Sequence, residues 1–122
     1  MTTSEIATVL AWHDALNAAD MATLVALSSD DIEIGDAHGA AQGHEALRRW
    51  AASREGTAEL GRTYVHDGVV VVEQKVTTPD GTAKNAASAF RVVHDHVTSV
   101  FRHDDLASAL AATELTEADF VN

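Results

Sequence analysis

Asp36 closes a strand-like run, Asp31-Ile32-Glu33-Ile34-Gly35-Asp36, that follows two amphipathic segments and precedes a third. A carboxylate at that place opens onto whatever cavity the helices cover. Partial desolvation disfavours the charged form of a carboxyl group and moves its pKa toward the range a general base uses. The competing reading is a turn, because Asp among glycines bonds nearby backbone amides. A second cluster, Arg102-His103-Asp104-Asp105-Leu106, ends the last strand-like segment and enters a terminal helix. Alternation sets Val100, Arg102 and Asp104 on one face and Phe101 and His103 on the other. On a concave face, Arg102 would favour an ionised carboxylate and orient an anionic substrate or an enolate oxygen. Outside it, Arg102 is a salt bridge beside a helix start, and Asp104 or Asp105 is an N-cap.

Seven histidines raise the question of a metal, but metal sites need three or four ligands converging at near-bonding distance, and the spacing shows no such convergence. His38, in the bend after Asp36, could hydrogen-bond it as an orienting partner. His13 lies on the first helix near the Ile6–Leu10 stripe, His44 opens the third helix, and His94 and His96 flank Asp95 in a turn. Tyr64 and His66 share a strand face, and either could line a pocket. Each histidine also has an ordinary structural role open to it. Trp12, Trp50 and Phe90 are core or pocket walls that would offer flat contact to a ring-containing ligand. Gln74, if it points inward beside Val72 and Val76, would fix ligand orientation. No Gly-rich phosphate loop, Ser nucleophile elbow or cofactor fingerprint is present. Acid–base side chains are then the available machinery, and such chemistry needs no metal or organic cofactor.

The elements that must hold these residues follow from periodicity. Apolar residues at Ile6, Val9, Leu10, Trp12 and Leu16 predict a helix over residues 4 to 18, capped by Ser4 or Thr3. Asp20 caps a shorter helix carrying Met21, Leu24, Val25 and Leu27 and ending at Ser28-Ser29-Asp30. Ala40-Ala41-Gln42 reads as a short strand, and Gly43 starts a third helix with Leu47, Trp50 and Ala51 on one face. From Thr57 the period changes to alternation, with turns at Asp67-Gly68, Pro79-Asp80-Gly81 and His94-Asp95-His96. Four long strands result, near 57 to 66, 69 to 78, 82 to 93 and 97 to 103. Val69-Val70-Val71-Val72 is apolar on both faces, one for the core and one for a partner subunit. Leu106 and Leu110 mark a terminal helix, with Leu115 and Phe120 as anchors of the tail.

At 122 residues the chain is one α+β domain, large enough for a core and a modest pocket. A net charge of −11 opposes phosphate backbones and anionic membrane surfaces, so neither nucleic acid nor membrane is an expected partner. No apolar run approaches the roughly 20 residues that span a bilayer, and Met1-Thr2-Thr3-Ser4-Glu5 lacks signal-peptide character, which makes the cytoplasm the expected compartment. The absence of cysteine excludes disulfides, thiolate zinc sites and cysteine nucleophiles.

The stretch from Trp12 to Trp50, WHDALNAADMATLVALSSDDIEIGDAHGAAQGHEALRRW, resembles the first half of the nuclear transport factor 2-like superfamily, particularly its ketosteroid isomerase and SnoaL-like polyketide cyclase branches. The resemblance covers nearly the whole chain, and the segment from Ala15-Leu16-Asn17-Ala18-Ala19-Asp20 through Gly43-His44-Glu45-Ala46-Leu47 carries most of it. It implies a single SnoaL-like domain over 1–122, with a cone-shaped, curved antiparallel (mixed) sheet and three helices packed over its concave face. This cystatin-like α+β barrel would hold a pocket between helices and sheet and form a homodimer through the convex sheet face. In the isomerases, the residue at the place of Asp36 is the proton-abstracting base. In the cyclases a strand-end aspartate acts as acid or base, and Asp104, two residues before Leu106, matches it.

The resemblance also marks departures. The isomerases' oxyanion donors, a tyrosine and a protonated aspartate, fall at Trp12 and Ser88, which offer an N–H and a hydroxyl rather than an acidic pair. Steroid isomerisation by that mechanism is therefore not expected. The Asp-Arg-Asp set of the limonene-epoxide-hydrolase branch is matched in residue type by Asp36, Arg102 and Asp104, without the branch's further water-binding residues. The leading expectation is a small-molecule-binding protein that moves a proton on an apolar, carbonyl-bearing substrate. Asp36 would be the base, Arg102 and Asp104 its partners, and Trp12, His13, His38, Trp50, Tyr64, Gln74, Ser88 and Phe90 the pocket lining. The rival is a non-catalytic ligand-binding or dimerisation module of the same fold.

Overall fold

Asp20 accepts an amide hydrogen bond from Thr23 and thereby starts α2 (Met21–Ala26), which follows α1 (Thr2–Asn17). The computed structural model describes residues 2–36, 39–53 and 57–121, without the side chains of residues 2–4, 36, 53 and 57. In it, α1 begins ahead of Thr3 and Ser4, so neither is its cap. α2 stops at Leu27 rather than at Ser28-Ser29-Asp30, because Leu27 hands its carbonyl to Val97 and Ser28 pairs with the same residue as the first position of β1 (Ser28–Asp36). β2 (Gly39–Gln42) and α3 (His44–Ser53) follow. The alternating half then forms β3 (Thr57–His66), β4 (Val69–Thr77), β5 (Ala83–Val93) and β6 (His96–His103), and the chain closes with α4 (Leu106–Thr113) and a 3-10 turn, Glu117–Asp119.

The strands make one six-stranded sheet in the order β2-β1-β6-β5-β4-β3. It is mixed: β1 runs parallel to β6 while the other pairs are antiparallel. Two of its hairpins turn at consecutive left-handed residues, Asp67-Gly68 and His94-Asp95, as a type I′ connection requires. Cross-strand register assigns the faces. Val65, Val70, Phe90, Val100 and Ile34 form one continuous row beneath the helices, and all are buried with Val9, Trp12 and Leu16 of α1, Leu24 of α2 and Leu47 of α3. Three helices thus cover the concave face.

The adjacent row, Tyr64, Val71, Ala89, Phe101 and Gly35, faces the opposite way. Here the structure departs from the expectation that a partner subunit covers the outer side of the valine run. α4 folds back on the convex face, and Ala109 with Leu115 buries Tyr64, Val71, Ala87 and Ala89 within the same chain. Gly35 lets the Phe101 ring cross β1, since a Cβ there would stand 2.6 Å from the ring. The tail then returns to the free edge of β3, where Phe120 packs its ring against Tyr64 and Val121 donates its amide to Thr63. This covers part of an edge that would otherwise invite strand addition.

Asp105, not Asp104, caps α4, accepting the Ser108 amide at 2.8 Å, and that bond holds its carboxyl below the ordinary carboxylate range. A depressed folded-state pKa adds stability above the unfolded-state pKa and loses it as pH falls through the folded-state value. Asp105→Ala is therefore expected to lower Tm at neutral pH, with the gap to the wild type closing in acid. Thermal melts across that range check this, and a pH-independent gap contradicts it.

Candidate functional site

Inside the cone, α1 presents two successive residues to polar partners on the sheet. Trp12 Nε1 donates to Ser28 Oγ at 2.9 Å, and Ser28 Oγ donates to the Leu24 carbonyl at 2.7 Å. The Trp12 ring meets Phe90 edge to face at 5.5 Å between centroids and Trp50 at 6.0 Å. His13 turns toward β4, where its Nε2 lies 3.0 Å from the Gln74 side-chain amide; the other end of that amide lies 2.9 Å from Ser88 Oγ. Asn17, one helical turn after His13, brings its amide to 3.3 Å from His13 Nδ1 and grips both the N–H and the carbonyl of Ala58.

His13, Gln74 and Ser88 are only 1, 3 and 3% exposed. Burying such groups costs free energy unless they are hydrogen-bonded, and here they bond one another in a string from helix to sheet. Gln74 reaches it because Val70, Val72 and Gln74 alternate inward along β4; Ser88 pairs with Val72 and sits diagonally beside Gln74.

Asp36 is the last residue of β1, two positions after the buried Ile34; its side chain, like all of His38, lies outside the described residues. Arg102 is half-buried in β6, two positions after Val100. Ile34 pairs with Val100 and Gly35 with Phe101 in parallel register, and Asp36, the last residue of β1, pairs with Gly39 on its other side. Arg102 also pairs with Ser88. Backbone register thus sets Arg102 beside Ser88, with Asp36 one residue beyond the last β1–β6 pair.

Asp104 does not join them: β6 ends at His103, and Asp104 is exposed beyond it. Tyr64 departs from the pocket-lining expectation altogether. It is buried on the convex side, where its hydroxyl donates to Glu117, because alternation along β3 gives Thr63 and Val65 the inner face. Trp12 and Phe90 are buried in the interior core, and half-buried Trp50 packs against it. His66 is exposed, with Asp67 and Asp119 at 3.2 and 3.4 Å. Among the described residues no three His, Asp or Glu side chains converge as metal ligands.

Sequence reasoning missed Asn17 and Ser28. The i,i+4 spacing of His13 and Asn17 on a helix was available as a signal; the pairing of Ser28 with Trp12 depends on where α2 ends and had none.

A groove of about 910 Å3 lies on the convex face, between α4 and the outer sides of β1, β5 and β6. Asp31, Glu33, Arg91, Phe101, His103 and Ala112 border it. It is therefore separate from the polar string, which faces the helices on the concave side.

A mixed curved sheet with three helices over its concave face and buried polar groups between them defines a small α+β cone. The family model described as a SnoaL-like domain matches residues 9–106, and the chain belongs to that family. Solved structures with the same fold include a nuclear transport factor 2-like protein of unknown function from Cytophaga hutchinsonii, 14% identical over 83% of this chain and 89% of that one, with a TM-score of 0.74. A protein from Sinorhizobium meliloti described as a candidate polyketide cyclase is 20% identical over 79% and 93%, with a TM-score of 0.74. One from Kribbella flavida described as a candidate ketosteroid isomerase is 17% identical over 82% and 76%, with a TM-score of 0.72. No curated protein matches the sequence. At these identities the likeness establishes the fold.

Ser28 is 4% exposed and is the acceptor for the buried Trp12 N–H. Ser28→Ala leaves that donor stranded and is expected to cost about 1–3 kcal/mol in denaturant unfolding. A variant as stable as the wild type would contradict the pairing.

Proposed function

We propose that this SnoaL-like domain binds a small, largely apolar, carbonyl-bearing molecule inside the cone and moves a proton on it by cofactor-free general acid–base chemistry. The pairing of Arg102 with Ser88 beside a buried polar string, with Asp36 at the end of the next strand, supports this reading. Apolar walls with a few convergent polar groups are the usual form of a small-molecule site. Trp12 and Phe90 supply flat apolar surface; half-buried Trp50, Met21, Val25 and Leu60 form the less completely covered part of the interior, where a ligand enters by displacing Trp50 from Trp12.

In this mechanism the Asp36 carboxylate removes a proton from the carbon next to the carbonyl, and charge develops on the carbonyl oxygen. The Arg102 cation and the Ser88 hydroxyl stabilise that oxygen. Where the enolate is conjugated with a further double bond, returning the proton to the far carbon gives isomerisation; attack of the enolate carbon on a second carbonyl, with the Asp36 proton passing to the alkoxide formed, gives cyclisation. Asp104, exposed beyond β6, has no direct part in it. The epoxide-opening alternative needs Asp104 beside Arg102, and its exposure disfavours that arrangement.

Exchange of the α-protons of 1-tetralone in deuterated water, followed by proton NMR, tests the proposal. The wild-type protein is expected to accelerate exchange, and Asp36→Asn to reduce the acceleration by about 10²–10⁴-fold. Full activity in Asp36→Asn would contradict the assignment of the base.

One observation favours a second role for the same fold. The convex groove leaves Phe101 half-buried between acidic Asp31 and Glu33 and basic Arg91, a mixed-charge surface that can complement its own copy about a two-fold axis. The proposed protein is accordingly a cytoplasmic homodimer joined through the part of the convex sheet that α4 leaves open. Analytical ultracentrifugation is expected to show a dimer that Phe101→Glu converts to monomer. A wild-type monomer at high concentration would remove this role and leave the chemistry inside the cone untouched.

A further inference from the structure

The tail after α4 is held against the outer edge of β3 by contacts of unequal kind. Leu115 is buried in the convex layer, Thr116 caps the 3-10 turn, and Asp119 Oδ2 accepts the Thr116 amide at 2.9 Å. Beyond that box the tail meets β3 three times. The Tyr64 hydroxyl donates to Glu117, the Phe120 ring packs on Tyr64, and the Val121 amide donates to the Thr63 carbonyl at 2.9 Å. Phe120 and Val121 nevertheless remain 46 and 44% exposed, so apolar burial does little to secure the end of the tail.

His66, the last residue of β3, adds a contact of another sort. Its Nδ1 lies 3.4 Å from Asp119 Oδ1 on the tail, and its Nε2 lies 3.2 Å from Asp67 Oδ2 in the turn to β4. A neutral imidazole has one N–H and one lone pair, so between two carboxylates it satisfies one and turns its lone pair toward the other. Only the imidazolium donates in both directions. Because Oδ2 of Asp119 is held by the Thr116 amide, Oδ1 is kept facing the ring. The charged groups on the elements packed here are Asp67 in the turn, Asp119 and Glu117 in the tail, and Arg91 and Glu114, which border the convex groove beyond Val69. Both carboxylates in contact with the ring favour its charged form.

We propose that His66 is a pH-dependent clasp on the tail: as an imidazolium it ties Asp119 to the turn after β3, and as a neutral ring it loosens the tail from the strand edge. Histidine ordinarily changes charge near pH 6.5, where carboxylates are already ionised. The bridge is therefore present below the histidine range and is lost as pH rises through it. What the clasp governs is access to the outer edge of β3. With the tail lifted, the Thr63 carbonyl loses the Val121 amide and the strand presents unpaired backbone groups to an incoming strand. The device lies outside the cone and does not rest on the chemistry proposed there.

Water–amide exchange NMR on the intact 15N-labelled chain tests this, with the Val121 amide as reporter and the His66 ring titration followed in the same samples. After correction for the intrinsic pH dependence of exchange, protection of Val121 is expected to fall about two- to fivefold between pH 5.5 and 7.5, the range of exposed ion pairs. The midpoint should coincide with the His66 titration. His66→Gln, which cannot ionise, should give the same protection at both ends of the range. Asp119→Asn removes the charge but keeps an acceptor for the Thr116 amide, and it should flatten the profile while leaving the 3-10 turn in place. A flat wild-type profile would overturn the clasp, as would a fall that persists undiminished in His66→Gln or Asp119→Asn.

Discussion

The seat of α1 in the curved sheet is the constraint on which the interior depends. Apolar packing alone would let a helix slide or rotate over a row of valines, because dispersion and burial are non-directional. Trp12 and His13 remove that freedom. One indole N–H is tied to Ser28 at the start of β1, and one imidazole is tied to Gln74 on β4, so two bonds of different direction fix both the rotation and the height of the helix. Asn17 adds a third tie, to the backbone of Ala58 on β3. With the helix placed, Trp12, Trp50 and Phe90 meet as one aromatic cluster, and Ser88 ends the polar string beside them.

A purely structural core would be served as well by apolar residues of similar volume at positions 13, 74 and 88. Fully bonded polar strings are compatible with stability but seldom required for it. Their value is in direction. A helix-to-sheet string ending at a hydroxyl, on a strand that neighbours Arg102 and, one strand further, position 36, puts directional groups in the interior where the proposed ligand would bind. The fold supplies the shell, and many functions occupy such shells; the residues between α1 and β5 are what make this shell particular.

Much of the architecture was legible in the sequence. The change from helical period to alternation at Thr57 marked the start of β3, and the Asp67-Gly68 and His94-Asp95 turns marked both I′ hairpins. Alternation left Gln74 conditional on the face it took, and the structure buries it on the inner one. It could not decide which face of β3 was inner, and Tyr64 went to the convex side, because an aromatic residue satisfies either face when a second hydrophobic layer exists. That layer is α4, and nothing local in Leu106–Thr113 says whether it caps the cone or folds behind it. The valine run shows the same limit: two apolar faces are readable, but not whether the second cover comes from a partner or from the same chain. Asp104 and Asp105 were indistinguishable as caps until the Ser108 amide chose Asp105.

Ligands are proposed to enter the cone and not the groove behind it. Chemical-shift mapping of the 15N-labelled protein during titration with 1-tetralone measures this most directly, because the two locations share almost no side chains. The Trp12 indole signal, the Gln74 side-chain amide and the Ser88 backbone amide are expected to move together and saturate at one affinity. Shifts confined to Glu33, Arg91, Phe101 and Ala112, with the Trp12 indole unmoved, would contradict it.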